Sequence, residues 1–297
     1  MSKKILILGG TRFFGKRLVE HWAAQESVEV TVASRRNITS SFGSEVSHII
    51  LDRENEASLS HVAELEQWDV VYDQICYSAE AALAATNVFE GRVKRYILTS
   101  SLSVYDAGTQ GDEGFHEEDY DPYTYPIRYA GDEEVSYQEG KRQAEAVLIQ
   151  KATFPVATVR FPIVLGMDDY RRRLHFHIEH VQQGLPIGLP NPEANIGFIH
   201  SSEAARFLAW LGNAEINGPV NAASSGTISI NELIGNIEDA VGKRGIIRPE
   251  AEKEHSSPFG ITSSWYMNTG KAAEAGFAFD SLVEWFPRLV QQISLTE

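Results

Sequence analysis

Lys4-Ile5-Leu6-Ile7-Leu8-Gly9-Gly10-Thr11-Arg12-Phe13-Phe14-Gly15 is the stretch whose reading decides the fold. The unbroken apolar run from Ile5 to Leu8 reads as a strand buried on both faces, as in a parallel sheet. Two glycines follow. A third, Gly15, opens a segment with Phe14, Leu18, Val19 and Trp22 at helical spacing. Strand, Gly-rich turn and helix form the context in which a glycine motif indicates a dinucleotide site. Gly9 and Gly10 allow a tight turn and close approach of the backbone to a pyrophosphate. Gly15 lets the helix pack near the strand, and the helix N-terminus favours an anion. Arg12 departs from the pattern, standing where a middle glycine is usual.

Working outward, further apolar runs at Val28–Ala33, His48–Leu51, Val70–Asp73, Tyr96–Thr99 and Val156–Phe161 alternate with helical patterns near 14–25, 56–66, 78–90 and 137–151. Such alternation predicts right-handed βαβ units and a parallel sheet. Two segments break the rhythm. Residues 106–136 carry ten acids, among them Asp132 and Glu133, against the single Arg128. Their tyrosines favour a partly ordered cover over a plain linker. After Gly166, helical stretches at 174–183, 202–213, 230–241 and 280–293 mix with strand-like pieces at Gly197–His200 and Pro219–Ala222. The expected fold is α/β: a Rossmann-type doubly wound parallel sheet with a smaller mixed α/β substrate region on the C-terminal side. Residues 1–166 are read as the NAD(P)-binding domain, and residues 167–297 as mainly substrate-binding and interleaved with it.

The 297-residue chain is long enough to bury a sizeable core. A net charge of −15 disfavours nucleic acid, because phosphates need a basic footprint. The single Cys76 excludes an internal disulfide and fits a reducing compartment. No leader is visible before the first strand and no apolar run is long enough for a bilayer, so a cytoplasmic protein is expected.

Tyr137 and Lys141 stand four apart at the start of a helical stretch, on one helix face. They follow a strand that ends in Thr99-Ser100-Ser101-Leu102-Ser103-Val104-Tyr105, so the pair and the serines belong near the carboxyl edge of the sheet, where ligands bind. Together with Gly9–Gly15, the run Arg160-Phe161-Pro162-Ile163-Val164-Leu165-Gly166, Phe198-Ile199-His200 and Asn221, these motifs resemble an extended short-chain dehydrogenase/reductase of the epimerase/dehydratase kind. The Gly-Gly-Thr-Arg-Phe variant resembles an atypical subset that includes chloroplast stem-loop RNA-binding proteins. The resemblance covers nearly the whole chain. It implies that Tyr137 is the acid/base, that Lys141 favours its phenolate, and that Ser101 hydrogen-bonds the substrate oxygen, with Ser103 as the other register.

The resemblance also implies a cofactor contact set. Gly9, Thr11, Arg12, Phe13, Phe14 and Gly15 lie at the turn, and Ser34, Arg35 and Arg36 after the second strand. Asp52 and Arg53 follow the third strand, and Cys76 and Tyr77 the fourth. Thr99, Tyr137, Lys141, Phe161 and Pro162 complete the set. Asp52 matches the position that contacts the adenine amino group. Cys76 is read as a packing residue and not a nucleophile. The end of the second strand offers Ser34-Arg35-Arg36 and no carboxylate, so NADP is preferred and NAD stays open. The alternative is that both arginines are solvated loop charges.

On the substrate side, which of Arg171, Arg172 and Arg173 faces a pocket is open. His175, His177 and His180 lack the spacing of a zinc site, so no metal is expected. The leading reading is an NAD(P)-dependent oxidoreductase or epimerase acting on a hydroxyl/carbonyl small-molecule substrate, a nucleotide sugar in the first instance. A 4,6-dehydratase is disfavoured, because Leu102 and Ser103 occupy the stretch where an acidic pair is usual. The alternative is a non-catalytic dinucleotide-binding redox sensor or an RNA-associated factor. A homodimer is compatible with the sequence and is not established by it.

Overall fold

A computed structural model describes residues 2–36, 42–131 and 134–296. Asp132 and Glu133 of the acidic segment lie outside the described residues. The strands are β1 (Lys3–Leu8), β2 (Val28–Ser34), β3 (Val46–Ile50), β4 (Val70–Asp73), β5 (Tyr96–Ser101), β6 (Val156–Phe161), β7 (Ile163–Leu165), β8 (Pro186–Gly188), β9 (Asn195–Ile196), β10 (Phe198–His200), β11 (Gly218–Asn221), β12 (Ile228–Ser229) and β13 (Ile246–Arg248). The helices are α1 (Phe13–Ala23), α2 (Glu56–Glu64), α3 (Ala79–Val88), α4 (Tyr137–Lys151), α5 (Arg173–Gln183), α6 (Ser201–Leu211), α7 (Ile230–Val241), α8 (Gly270–Glu274) and α9 (Leu282–Ser294).

Seven strands form one parallel sheet in the order β11-β6-β5-β4-β1-β2-β3. The opening strand shows why. Ile5 and Ile7 join the core under α1 and α6, whereas Leu6 and Leu8 join the core under α2, α3 and α4. Alternate side chains of a strand point to opposite faces, so a run apolar at every position needs a helical layer on each side. The chain runs outward from β1 first through β2 and β3, then through β4, β5 and β6. This reversal places the topological switch point between β1 and β4. Because the strands are parallel, the residues after Leu8, Ser34, Ile50, Asp73, Ser101 and Phe161 collect at one sheet edge.

The expected helices and strands all form, within two residues at their ends. The piece around Pro219 does more than expected: as β11 it closes the main sheet beside β6. The pairs β8·β13 and β9·β12, strand β7 and helix α8 go unannounced, because elements of two to five residues carry little readable periodicity, whereas β10 is the expected piece at Gly197–His200. A separate apolar cluster ties α5, α7 and α9 together.

The described part of the acidic segment is pinned in place, with one short 3₁₀ turn at Glu117–Asp119 as its regular element. Phe115 is fully buried and stacks on Tyr105 with ring centroids 4.6 Å apart. Its backbone pairs with Tyr266 and Asn268. Glu117 is also buried, and its carboxylate accepts the Asn221 amide at 2.8 Å. None of the described helices is long and apolar enough to cross a membrane.

Candidate active site

Gly9 and Gly10 adopt φ of +95° and +71°, the left-handed region that side chains rarely enter. At Gly15 a Cβ would collide with the Gln74 side chain and lie 2.9 Å from the Gly10 Cα, so helix and turn meet backbone to backbone. Phe13 holds φ +53°, a conformation uncommon for a bulky residue. Arg12 caps α1 in extended backbone without a side-chain cap bond, so it leaves the first amides of an 11-residue helix uncapped by its side chain. Beside this turn the Gln74 Nε2 is buried and has no partner among the described residues. A cradle closed to any Cβ, free helix amides and an orphaned amide donor fit a pyrophosphate, and thus a dinucleotide.

At the next strand end, Arg35 and Arg36 are exposed, as is Arg12. Ser34 is engaged with its neighbours. Its hydroxyl donates to the Arg36 carbonyl at 2.9 Å and lies 2.9 Å from the His48 Nε2. Asp52 is exposed, and its carboxylate accepts the Glu54 amide. The Arg53 guanidinium turns inward. It bonds the fully buried Asp73 through Nε at 3.1 Å and Nη2 at 2.8 Å, and also reaches the Ala81 carbonyl. The Tyr96 hydroxyl donates to the same Asp73 oxygen at 2.6 Å. A carboxylate at 0% exposure needs such donors, and Arg53 is the cation that neutralises it. The Cys76 side chain is fully buried, as its packing role requires; burial pushes its thiol up to about 11, and its carbonyl accepts from Lys141.

Helix α4 starts at Tyr137 because Ser136 caps it, accepting the Glu139 amide at 3.1 Å. One turn on, Lys141 is 2% exposed and donates from Nζ to the carbonyls of Cys76 (2.9 Å) and Thr99 (2.8 Å). Burial pushes the ammonium down to about 8. Tyr137 is 56% exposed, and Lys141 Nζ lies 5.9 Å from its ring centroid. Burial of the hydroxyl raises its pKa, the Ser101 side chain lowers it by hydrogen bonding, and Arg171 and Arg173 lower it through their charge. The net effect is a raised pKa, with burial the largest cause. Ser101 also accepts the Ser103 amide at 3.2 Å. The hydroxyls of Thr99 and Ser103 are buried without a partner among the described residues.

The arginine run separates by partner. Arg172 pairs with Glu179, and Arg173 bonds Asp169 and the Val164 carbonyl. Arg171 lies over the Tyr170 ring at 5.7 Å. Tyr170 in turn meets Phe13 edge-on at 6.4 Å, and Phe14 meets the buried Phe161 at 5.7 Å, with Pro162 buried behind it. The Arg171 side of the run thus faces the turn and Tyr137. His177 and His180 are engaged elsewhere, with the Arg173 carbonyl and Ser257, and with the Phe176 carbonyl and His255.

Sequence reasoning missed Asp73, Gln74 and Tyr170. Asp73 and Gln74 end the fourth strand directly opposite the glycine turn, and that adjacency was the available signal. Nothing in the sequence marked Tyr170.

Residues 5–223 match the NAD dependent epimerase/dehydratase family. The chain is 27% identical over 275 residues to the chloroplast stem-loop binding protein of 41 kDa b of Arabidopsis thaliana, covering 86% of this chain and 67% of that protein. Its fold is shared with UDP-glucose 4-epimerase of Thermotoga maritima, with TM-score 0.74, 16% identity and 99% of both chains covered. The dTDP-glucose 4,6-dehydratase of Bacillus anthracis in complex with NAD gives TM-score 0.76 at 14% identity, covering 100% of this chain and 98% of that one. A match over most of the length, on a sheet whose glycine turn fits a dinucleotide, places this chain in the NAD dependent epimerase/dehydratase family.

Proposed function

We propose that this protein is an NAD(P)-dependent oxidoreductase or epimerase that acts on a hydroxyl-bearing or carbonyl carbon of a small molecule, with a nucleotide sugar as the first candidate. The observation that carries the reading is the Tyr137 phenol standing beside Ser101 at the sheet edge, one helical turn from Lys141. When bound, the dinucleotide supplies the hydride donor or acceptor. Tyr137 exchanges the proton with the substrate oxygen, and Ser101 hydrogen-bonds that oxygen and holds it. The charges of Arg171 and Arg173 favour the phenolate against the burial that opposes it, and Lys141, with Nζ 5.9 Å from the ring centroid, adds a further positive charge. Residues 1–166 hold the cofactor and 167–297 mainly the substrate, interleaved, in a cytoplasmic protein compatible with a homodimer.

NADP is the preferred cofactor. Arg12, Arg35 and Arg36 are exposed at the turn and at the end of β2, which presents no acidic side chain for a ribose hydroxyl. Replacing Tyr137 by Phe keeps dinucleotide binding detectable and lowers turnover on a sugar-nucleotide and carbonyl panel by about 10²–10⁴-fold. Unchanged turnover rejects the assigned mechanism. A second reading, an RNA-associated factor, draws on the 27% identity to a stem-loop binding protein. The net charge of −15 weighs against it. Retention of structured RNA at physiological salt would reverse that preference.

A further inference from the structure

An ammonium has three N–H donors, and the Cys76 and Thr99 carbonyls occupy two on Lys141. Among the described residues no carboxylate pairs with Lys141. Of the two rings near the ammonium, Tyr77 is the nearer, its centroid 4.2 Å from Nζ against 5.9 Å for Tyr137. Lys141 is 2% exposed while Tyr77, whose ring it meets, is 51% exposed, so the buried charge touches a side chain that itself reaches solvent.

The ring is held from two sides. A Cβ on Gly140 would collide with the Tyr77 carbonyl, so the loop after β4 rests directly on the first turn of α4, next to Lys141. The Tyr77 hydroxyl donates to the Gln74 carbonyl at 3.3 Å, across its own loop. We propose that Tyr77 gates Lys141: its ring caps the ammonium in the free protein, and a ligand hydroxyl takes the third N–H only by displacing that ring. The inference rests on the placement of Lys141 in the ligand site. The capping itself is a property of the free protein.

The test is amine labelling of the free protein with trinitrobenzenesulfonate at pH 8, with Lys141 followed by peptide mass mapping. Cation–π contact and cover are lost together in Tyr77→Ala, so Lys141 is labelled on the order of tenfold faster than in wild type. Tyr77→Phe keeps the π face and loses only the bond to the Gln74 carbonyl, so Lys141 is labelled far more slowly in it than in Tyr77→Ala. Gly140→Ala pushes the loop off α4 and speeds labelling by a second route. Lys141 labelled as slowly in both Tyr77→Ala and Gly140→Ala as in wild type, with both folded by circular dichroism, overturns the gate. In stopped-flow mixing with NADPH, Tyr77→Ala associates faster than wild type, and equal association rates also overturn it. Faster labelling with no dinucleotide bound by either protein upholds the gate and rejects the proposed function.

Discussion

Arg160 and Glu145 form an ion pair at 2.8 Å with both side chains at 0% exposure. The pair bonds β6 to α4, one turn beyond Lys141. Glu145 also accepts the Ser100 hydroxyl, next to Ser101. The Arg160 guanidinium further donates to the Tyr105 hydroxyl and to the carbonyls of Glu117 and Tyr120. One buried cation thus fixes the helix that carries Tyr137, the strand end that carries Ser101, and the acidic segment.

Removing one member leaves the other charge buried and alone. Glu145→Leu is expected to cost roughly 3–5 kcal/mol, read as a lower midpoint in urea. The double variant Glu145→Leu/Arg160→Leu should recover much of that loss, because two apolar groups need no mutual neutralisation. A double variant as unstable as the sum of the singles would show that the carbonyl and hydroxyl bonds, not the charge pair, carry the stability.

Arg35 and Arg36 govern the preference between dinucleotides if the end of β2 reads the ribose. An arginine–phosphate hydrogen bond contributes about 1.5–3 kcal/mol. Arg35→Ala/Arg36→Ala should therefore weaken NADPH binding by at least tenfold and leave NADH binding nearly unchanged, measured by fluorescence titration. Arg12→Gly should shift the ratio the same way, by less. Tighter binding of NADH than NADPH by the wild-type chain would sink the preference outright.

The main sheet and its flanking helices were legible because burial on both faces leaves a continuous apolar run, and one buried face leaves a helical stripe. Ile5–Leu8 and Leu18-Val19-Trp22 show the two signals side by side. The glycine turn was legible because close backbone approach permits few residues. Which way a polar side chain turns was not. Asp52 and Arg53 are adjacent in sequence, yet one faces solvent and the other neutralises Asp73, twenty residues away. A buried acid creates that demand, and sequence spacing does not reveal it. Lys141 belongs to the same class. Helical periodicity puts it on the Tyr137 face, but tertiary packing decides that its charge meets two carbonyls and the Tyr77 ring.

That burial has a thermodynamic signature. The Lys141 ammonium, ordinarily near 10.5, is pushed down to about 8 by desolvation. Below pH 8 the group is charged in both folded and unfolded chains, and the penalty of burying it is fully present. Between pH 8 and 10.5 the unfolded chain binds the proton that the folded chain has released, so this group makes stability rise with pH. The gain is on the order of 3 kcal/mol across that window, and it levels off above it. Lys141→Met removes the titration while keeping the stem. The difference between wild-type and variant unfolding free energies from urea curves should shift in favour of wild type as pH rises from 8 to 10.5. Buried tyrosines such as Tyr72 and Tyr96, raised by desolvation, titrate in both proteins and cancel in that difference. Parallel curves for the two proteins over this range would mean that the Lys141 charge is stabilised in place as well as in water, by its carbonyls and the Tyr77 ring.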